Sequence, residues 1–296
     1  MITEAAPAKI NLALHVTGQR DDGYHLLETI VTFADPLVGN ASDVVRIAPL
    51  AGGDGPAVSL NISGPEAWAL SEPDDNLVVQ AVTKLIASMS DAREFGFVLQ
   101  LEKNLPVASG IGGGSTDAAA ALRAVMRQLE TSLDADKLLE LALSLGADVP
   151  MCLPGSPAKI TGIGERIEPV RMPSFHMVLV NPRVAVSTPD VFRALSDKDN
   201  EPLPDCPVSQ HVDDWVAWLA DTRNDLQLPA MTIAPEIASC LQTLEASGAV
   251  FARMSGSGAT CFGIFDTLEA AKAATDDIQR AQPDWWVSAC RTIEGS

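Results

Sequence analysis

Residues 106–116 read Pro106-Val107-Ala108-Ser109-Gly110-Ile111-Gly112-Gly113-Gly114-Ser115-Thr116, a glycine-rich turn that feeds a helix start. Unpaired N–H groups at such a start converge on an anion, and the helix dipole adds roughly half a positive charge there. Glycines remove the side chains that would hold a triphosphate away from the backbone. Ser115 and Thr116 bring hydroxyls that could reach phosphate or its magnesium. The spacing is not that of a P-loop, because no lysine follows Gly114. Nor is it a dinucleotide fingerprint, since the sixth position from Gly110 is Ser115. The His-Arg-Asp and Asp-Phe-Gly signatures of protein kinases are absent. On spacing alone, a tight turn with no ligand stays open.

The elements that must position this turn follow from periodicity. Residues 9–16 alternate, with Ile10, Leu12, Leu14 and Val16 on one face and Lys9, Asn11, Ala13 and His15 on the other, the pattern of a half-buried strand. Phe95, Phe97, Leu99 and Leu101 repeat it just before the glycine turn. Leu77, Ala81, Leu85 and Met89 recur at helical spacing after the turn Pro73-Asp74-Asp75. Helices are expected over about 115–129 and over about 134–145, the second stopped by Gly146. Later come a strand near 175–180 and helical stretches near 188–195 and 213–220. A helix at 235–246, strands at 249–254 and 259–265, a helix at 267–280 and a strand at 286–292 complete the series. Simplified, this is βαββαβ, the order of a ferredoxin-like split unit. The polar, proline-rich segment 196–210 reads as a surface loop. The expected fold class is α+β in two domains, 1–156 and 157–296, with the possibility that the last strand returns to the first half.

The chain has 296 residues and a formal charge of −19. Such a surface repels nucleic acid and anionic membranes, so neither is an expected partner, and it repels ATP too. Any phosphate site must be built locally from amides and a few lysines. The five cysteines are scattered, none in a Cys-x-x-Cys pair, and the four histidines show no ligand spacing. No structural metal or disulfide framework is expected, and a reducing cytoplasmic location is. The start Met1-Ile2-Thr3-Glu4 does not read as a signal peptide.

Pro106 to Ala119 resembles the phosphate-binding motif of the GHMP kinases (galactose, homoserine, mevalonate and phosphomevalonate kinases). Pro7-Ala8-Lys9-Ile10-Asn11-Leu12 and Met254-Ser255-Gly256-Ser257-Gly258-Ala259-Thr260 match the same superfamily. Asp22-Gly23-Tyr24-His25, Asp75-Asn76-Leu77 and Gly146-Ala147-Asp148-Val149-Pro150 are more specific. So are Gly162-Ile163-Gly164-Glu165, Val186-Ser187-Thr188 leading to Phe192, and Asn224-Asp225-Leu226. These resemble the branch that phosphorylates a cytidine diphosphate-linked methylerythritol, and they occur in family order along nearly the whole chain. Ala108-Ser109 stands where many relatives have glycines, and Asp117 where some have Asn.

The resemblance implies an ATP-binding N-terminal domain, a ferredoxin-like C-terminal domain and an active site between them. It implies ATP-dependent phosphorylation of the acceptor's 2-hydroxyl in non-mevalonate isoprenoid precursor synthesis, with magnesium carried by the nucleotide. Asp148 would take the hydroxyl proton, although an aspartate so placed is more often a cap or turn residue. Lys9 would stabilise the developing charge. Lys103 and Asn76 would join residues 106–116 on the ATP side. Asn11, Tyr24, His25, Thr188 and Phe192 would hold the substrate, with Tyr24 and Phe192 stacking on cytosine and His25 reading its edge. Phe192 by itself reads more readily as helix core. A GHMP kinase for homoserine or mevalonate, and a non-catalytic nucleotide binder, are the rival readings.

Overall fold

The computed structural model describes residues 1–50, 57–70, 76–89 and 96–295. The expected turn Pro73-Asp74-Asp75 and the strand residue Phe95 lie outside the described residues. In chain order the strands begin with β1 (Ile2–Pro7), β2 (Lys9–Gln19), β3 (His25–Gly39), β4 (Ser42–Leu50), β5 (Val58–Ser63) and β6 (Gly96–Glu102). They continue with β7 (Ala158–Gly162), β8 (Arg166–Pro169), β9 (His176–Asn181), β10 (Phe251–Met254), β11 (Cys261–Phe265) and β12 (Trp286–Thr292). The helices are α1 (Leu77–Ser88), α2 (Gly113–Gln128), α3 (Ala135–Leu143), α4 (Val149–Cys152) and α5 (Thr188–Ala194). After them come α6 (Val212–Ala220), α7 (Gln227–Ile233), α8 (Glu236–Ala246) and α9 (Leu268–Ala281). No helix among the described residues is long and apolar enough to cross a membrane.

One compact unit comprises Met1–Ala8, Ser42–Val107 and Gly113–Pro154. Its sheet runs β1-β4-β6-β5, antiparallel except for the parallel pair β5 and β6. Val45, Ile47, Phe97, Leu99 and Leu101 alternate inward from the sheet. Against them lie Val78, Ala81, Val82 and Leu85 of α1, at the spacing that puts them on one helix face. Asn76 caps α1 by accepting from the Val78 N–H at 2.9 Å. Helix α2 packs on β1 and β4, and its run Ala118–Ala121 is wholly buried. Alanine suits both demands: it favours helix and lets the helix axis approach the sheet.

The second unit comprises Lys9–Ala41, Ala108–Gly112 and Gly155–Ser296. Its sheet runs β10-β11-β9-β12-β3-β7-β8, with β2 also paired to β3. Strands β9, β10, β11 and β12 with their helices are the ferredoxin-like unit that the sequence order implies. The contiguous division at 156/157 gives way to an interleaved one. The β2–β3 hairpin groups with the C-terminal strands because β3 bonds to β12 on one edge and to β7 (Leu27↔Gly162 to Val31↔Ala158) on another. Strand β12 stays paired with β9 over Trp286–Arg291 and also meets β3 through Cys290↔Gly39 and Thr292↔Ala34.

Strand β2 is not half-buried. Lys9 to Val16 are buried on both faces, and register shifts between Asn11/Ala13 and Val16/Gly18 interrupt the alternation. Segment 223–225 bonds along the edge of β2 that β3 leaves open. The Leu14 N–H donates to the Arg223 carbonyl and the Asp225 N–H to the Leu14 carbonyl, both at 2.9 Å. The 196–210 segment is irregular, as expected, yet tied down: the Asn200 N–H donates to the Val16 carbonyl at 3.1 Å and the Leu203 N–H to Glu28 Oε2 at 3.2 Å.

Candidate active site

Helix α2 starts two residues earlier than its hydroxyl-rich sequence suggests. Gly113 and Gly114 therefore belong to its first turn, whose N–H groups have no partner within the helix. Beneath that turn lies a buried ion cluster. The Lys103 ammonium pairs with Asp117 Oδ2 at 2.8 Å and with Asp43 Oδ2. Asp43 Oδ1 in turn accepts from the Leu105 N–H at 2.8 Å and from the Asn104 N–H at 2.5 Å. Gly113 makes room for the lysine: a Cβ there would sit 3.0 Å from Lys103 Nζ.

Two carboxylates face one ammonium, so the cluster carries an excess negative charge if both ionise. Burial pushes the Asp117 carboxyl up to about 8, with Asp43 adding repulsion and Lys103 opposing both. Burial alone would lower Lys103, but the carboxylates hold it above its ordinary value, so it stays charged. Asp117 Oδ1 is buried without a partner. Lys103 is thus engaged as a brace under the start of α2, and reaching a phosphate would mean giving up its contacts with Asp43 and Asp117. Asp43 carries no motif, and only the fold brings it to Lys103 across 60 residues.

Ala108 to Gly112 belong to the second unit and meet the 255–258 turn backbone to backbone. The Ser255 hydroxyl donates to the Gly110 carbonyl at 3.1 Å, and the Thr260 N–H to the Ser109 carbonyl at 3.0 Å. The Lys9 N–H donates to the Ile111 carbonyl at 2.9 Å. Gly110 has φ +76°, and a Cβ there would lie 2.5 Å from the Ser255 carbonyl oxygen. At Gly112 a Cβ would lie 3.2 Å from Lys9 Cε. The glycines therefore admit both a neighbouring backbone and a buried lysine stem. Ala108 takes the same left-handed region with φ 51°. The Thr116 hydroxyl donates back to the Gly113 carbonyl at 3.0 Å, so it is occupied within the helix, unlike the free phosphate ligand that its sequence position suggests. Pro106 is buried and Val107 exposed, between Lys103 and the turn.

Lys9 is 4% exposed. Asn11 is as well buried; its N–H donates to Ser255 Oγ at 3.0 Å and its Nδ2 to Thr29 Oγ1 at 2.9 Å. Asn11 Oδ1 has no partner, leaving one acceptor open beside Gly256. Asp148 is half-buried at the N-terminus of α4, and its side chain makes no cap hydrogen bond.

Phe192 lies against His25 itself, with ring centroids 4.7 Å apart and an interplanar angle of 23°. Tyr24 is 62% exposed at the β2–β3 turn. Successive side chains of an extended chain point to opposite sides, so only one of the two rings can meet Phe192. Burial and the Lys198 charge lower the His25 pKa, and its Nε2 is buried without a partner. Thr188 Oγ1 is 2.7 Å from Ser257 Oγ, which ties α5 to the glycine turn at 255–258.

The fold and these sites define a class of small-molecule kinases. The model described as the GHMP kinases N terminal domain matches residues 76–156, and that described as GHMP kinases C terminal matches residues 212–284. A 4-diphosphocytidyl-2-C-methyl-D-erythritol kinase of Rhizobium etli (strain CIAT 652) is 49% identical over 99% of this chain and 96% of its own. One of Agrobacterium fabrum is 50% identical over 98% and 96% respectively. A crystal structure of 4-(cytidine 5'-diphospho)-2C-methyl-D-erythritol kinase has a TM-score of 0.78 at 31% identity, covering 100% of both chains. Homoserine kinase from Cytophaga hutchinsonii shares the fold, with a TM-score of 0.68 at 17% identity over 99% of this chain and 94% of its own. The chain belongs to the GHMP kinases and, within them, to the family of 4-diphosphocytidyl-2-C-methyl-D-erythritol kinases.

Two outcomes follow from this geometry. Gly110→Ala should lose roughly 1–3 kcal/mol from backbone conformation alone, and more from the collision with Ser255. Ala108→Gly should stay within about 1 kcal/mol of the parent; urea denaturation of both variants checks the contrast. The second concerns pH. Folding raises Asp117 from its ordinary 3.8 to about 8, so between those values the folded chain holds a proton that the unfolded chain has lost. Its contribution to stability therefore falls as pH rises from about 4 towards 8 and levels off above. Asp117→Asn should flatten that part of the stability profile, measured by urea denaturation across the pH series. An unaltered slope would show that Asp117 is ionised throughout.

Proposed function

We propose that this chain transfers the γ-phosphoryl group of ATP to the 2-hydroxyl of 4-diphosphocytidyl-2-C-methyl-D-erythritol, a step of non-mevalonate isoprenoid precursor synthesis. The observation that carries the proposal is the His25–Phe192 pair with its open Nε2. A neutral imidazole with one free ring nitrogen suits the edge of cytosine, which offers an amino donor beside acceptors. Tyr24, exposed next to it, supplies a second flat face that a cytosine ring could cover. Homoserine and mevalonate have no ring that would use either.

Phosphoryl transfer asks the protein for in-line placement and charge stabilisation more than for covalent work. Asp148 accepts the proton of the attacking hydroxyl as its oxygen bonds to phosphorus and ADP leaves. Lys9 stabilises the charge that develops on the transferred group, and Asn11 Oδ1 accepts a hydrogen bond from the acceptor. The amides of residues 110–116 hold the ATP phosphates, with Gly113 and Gly114 opening α2 towards them. Asn76 lies on the nucleotide side; its Oδ1 is taken by the α1 cap, which leaves its amide NH₂ for that task. Of the two hydroxyls at the start of α2, that of Ser115 would reach the magnesium carried by the nucleotide, which would supply neutralisation of phosphate charge.

Purified protein supplied with ATP, magnesium and the cytidyl acceptor should release ADP, and should not do so with homoserine or mevalonate. Asp148→Asn should lose roughly 10²-fold or more in kcat while its ATP affinity by calorimetry stays that of the parent. A parental rate would remove Asp148 from the base role. Tyr24→Ala should raise KM for the cytidyl acceptor far more than KM for ATP; equal effects would place Tyr24 elsewhere.

A further inference from the structure

The motif Asn224-Asp225-Leu226 takes no part in the chemistry above, yet its contacts converge on the site. Asn224 is buried, and its amide is fully used. Nδ2 donates to the Met254 carbonyl and to the Gly256 carbonyl, each at 2.8 Å, and Oδ1 accepts from the Leu226 N–H at 3.0 Å. The two carbonyls flank Ser255. The Ser255 hydroxyl is the acceptor for the Asn11 N–H and the donor to the Gly110 carbonyl. Gly256, with φ +56°, could not carry a side chain, since a Cβ would lie 2.8 Å from the Gly110 carbonyl oxygen and 3.1 Å from Asn11 Oδ1.

The neighbours of Asn224 hold the same strand from the other side. Asp225 Oδ2 accepts from the Val16 N–H at 2.8 Å. Arg253, just before the turn, donates to the Leu12 carbonyl at 3.0 Å and to the Thr222 carbonyl at 2.7 Å. Segment 222–226 is therefore bonded both to β2, which carries Lys9 and Asn11, and to the turn that touches Gly110.

We propose that Asn224 is a positioning residue. By holding the carbonyls on either side of Ser255, it sets the hydroxyl that fixes the acceptor-side Asn11 and the phosphate-side Gly110 in one register. Its effect on turnover rests on the kinase reading above; its effect on the turn does not. Only an amide serves here, because two carbonyl oxygens need two donors from one atom while Leu226 needs an acceptor from the same group. A carboxylate would set an oxygen against two oxygens.

The test compares the parent with Asn224→Ala, Asn224→Asp and Leu244→Ala, the last a core truncation in α8 away from the site. Amide hydrogen exchange at Asn11 and Thr260, kcat, both KM values and Tm are measured on each folded variant. In both Asn224 variants, exchange at the two amides should speed up by roughly 10-fold or more. Turnover should fall, by about 10²-fold where displacement approaches 1 Å, and most in Asn224→Asp. Leu244→Ala should lower Tm with neither effect. If Asn224→Asp does not fold, Asn224→Ala decides. Parental exchange at Asn11 and Thr260 in Asn224→Ala overturns the proposal, as does a kcat loss that Leu244→Ala reproduces at equal loss of Tm. If the parent itself does not phosphorylate the cytidyl acceptor, the functional reading falls, and the exchange comparison still decides whether Asn224 sets the turn.

Discussion

Gly110 and the 255–258 turn lie so close that the carbonyl of one and the backbone of the other occupy the space a Cβ would need. That contact constrains most of what surrounds it. It requires left-handed backbone at Gly110, Gly256 and Gly258, and a small hydroxyl residue between Met254 and Gly256 to join the two turns. It also brings Asn11 into the network, because the same hydroxyl accepts from its N–H. Side chains would bring flexible contacts; bare backbone brings fixed dipoles at fixed spacing, which is what a phosphate site needs.

The helix that follows the glycine turn solves a different problem. An acidic chain must present a positive surface to a triphosphate, yet the lysine nearest in sequence is not aimed outward. Lys103 is enclosed by Asp43 and Asp117, and the charge offered at the start of α2 is that of its amides. A buried ammonium facing two buried carboxylates is not an economical source of stability, since desolvation offsets much of the attraction. Its consequence is positional: Asp43 also takes the Asn104 and Leu105 N–H groups, so one cluster fixes the strand end, the approach to the turn and the first turn of α2 together.

In the β2–β3 hairpin, burial leaves specific atoms unanswered. Asn11 Oδ1 and His25 Nε2 are enclosed without partners, whereas buried polar atoms are nearly always paired. They lie in the hairpin β2–β3, whose two strands carry Lys9, Asn11 and His25 between them. Phe192 orients the imidazole by stacking.

The sequence by itself determined the local elements and the motifs. Glycine spacing marked the turn before α2, helical spacing marked α1, and the βαββαβ order announced the C-terminal sheet. These are legible because they depend on near neighbours along the chain. The half-buried reading of β2 failed because a strand's own alternation cannot report what covers its second face, and Lys9 to Val16 are all buried. The compact units interleave along the chain because hydrogen bonds from β3 to β12 and β7 tie the β2–β3 hairpin to the C-terminal strands. Asp43, the His25–Phe192 pairing and the task of Asn224 were invisible for the same reason: each is a contact across tens or hundreds of residues. Only the tertiary structure decides which distant groups a buried charge, ring or amide will meet.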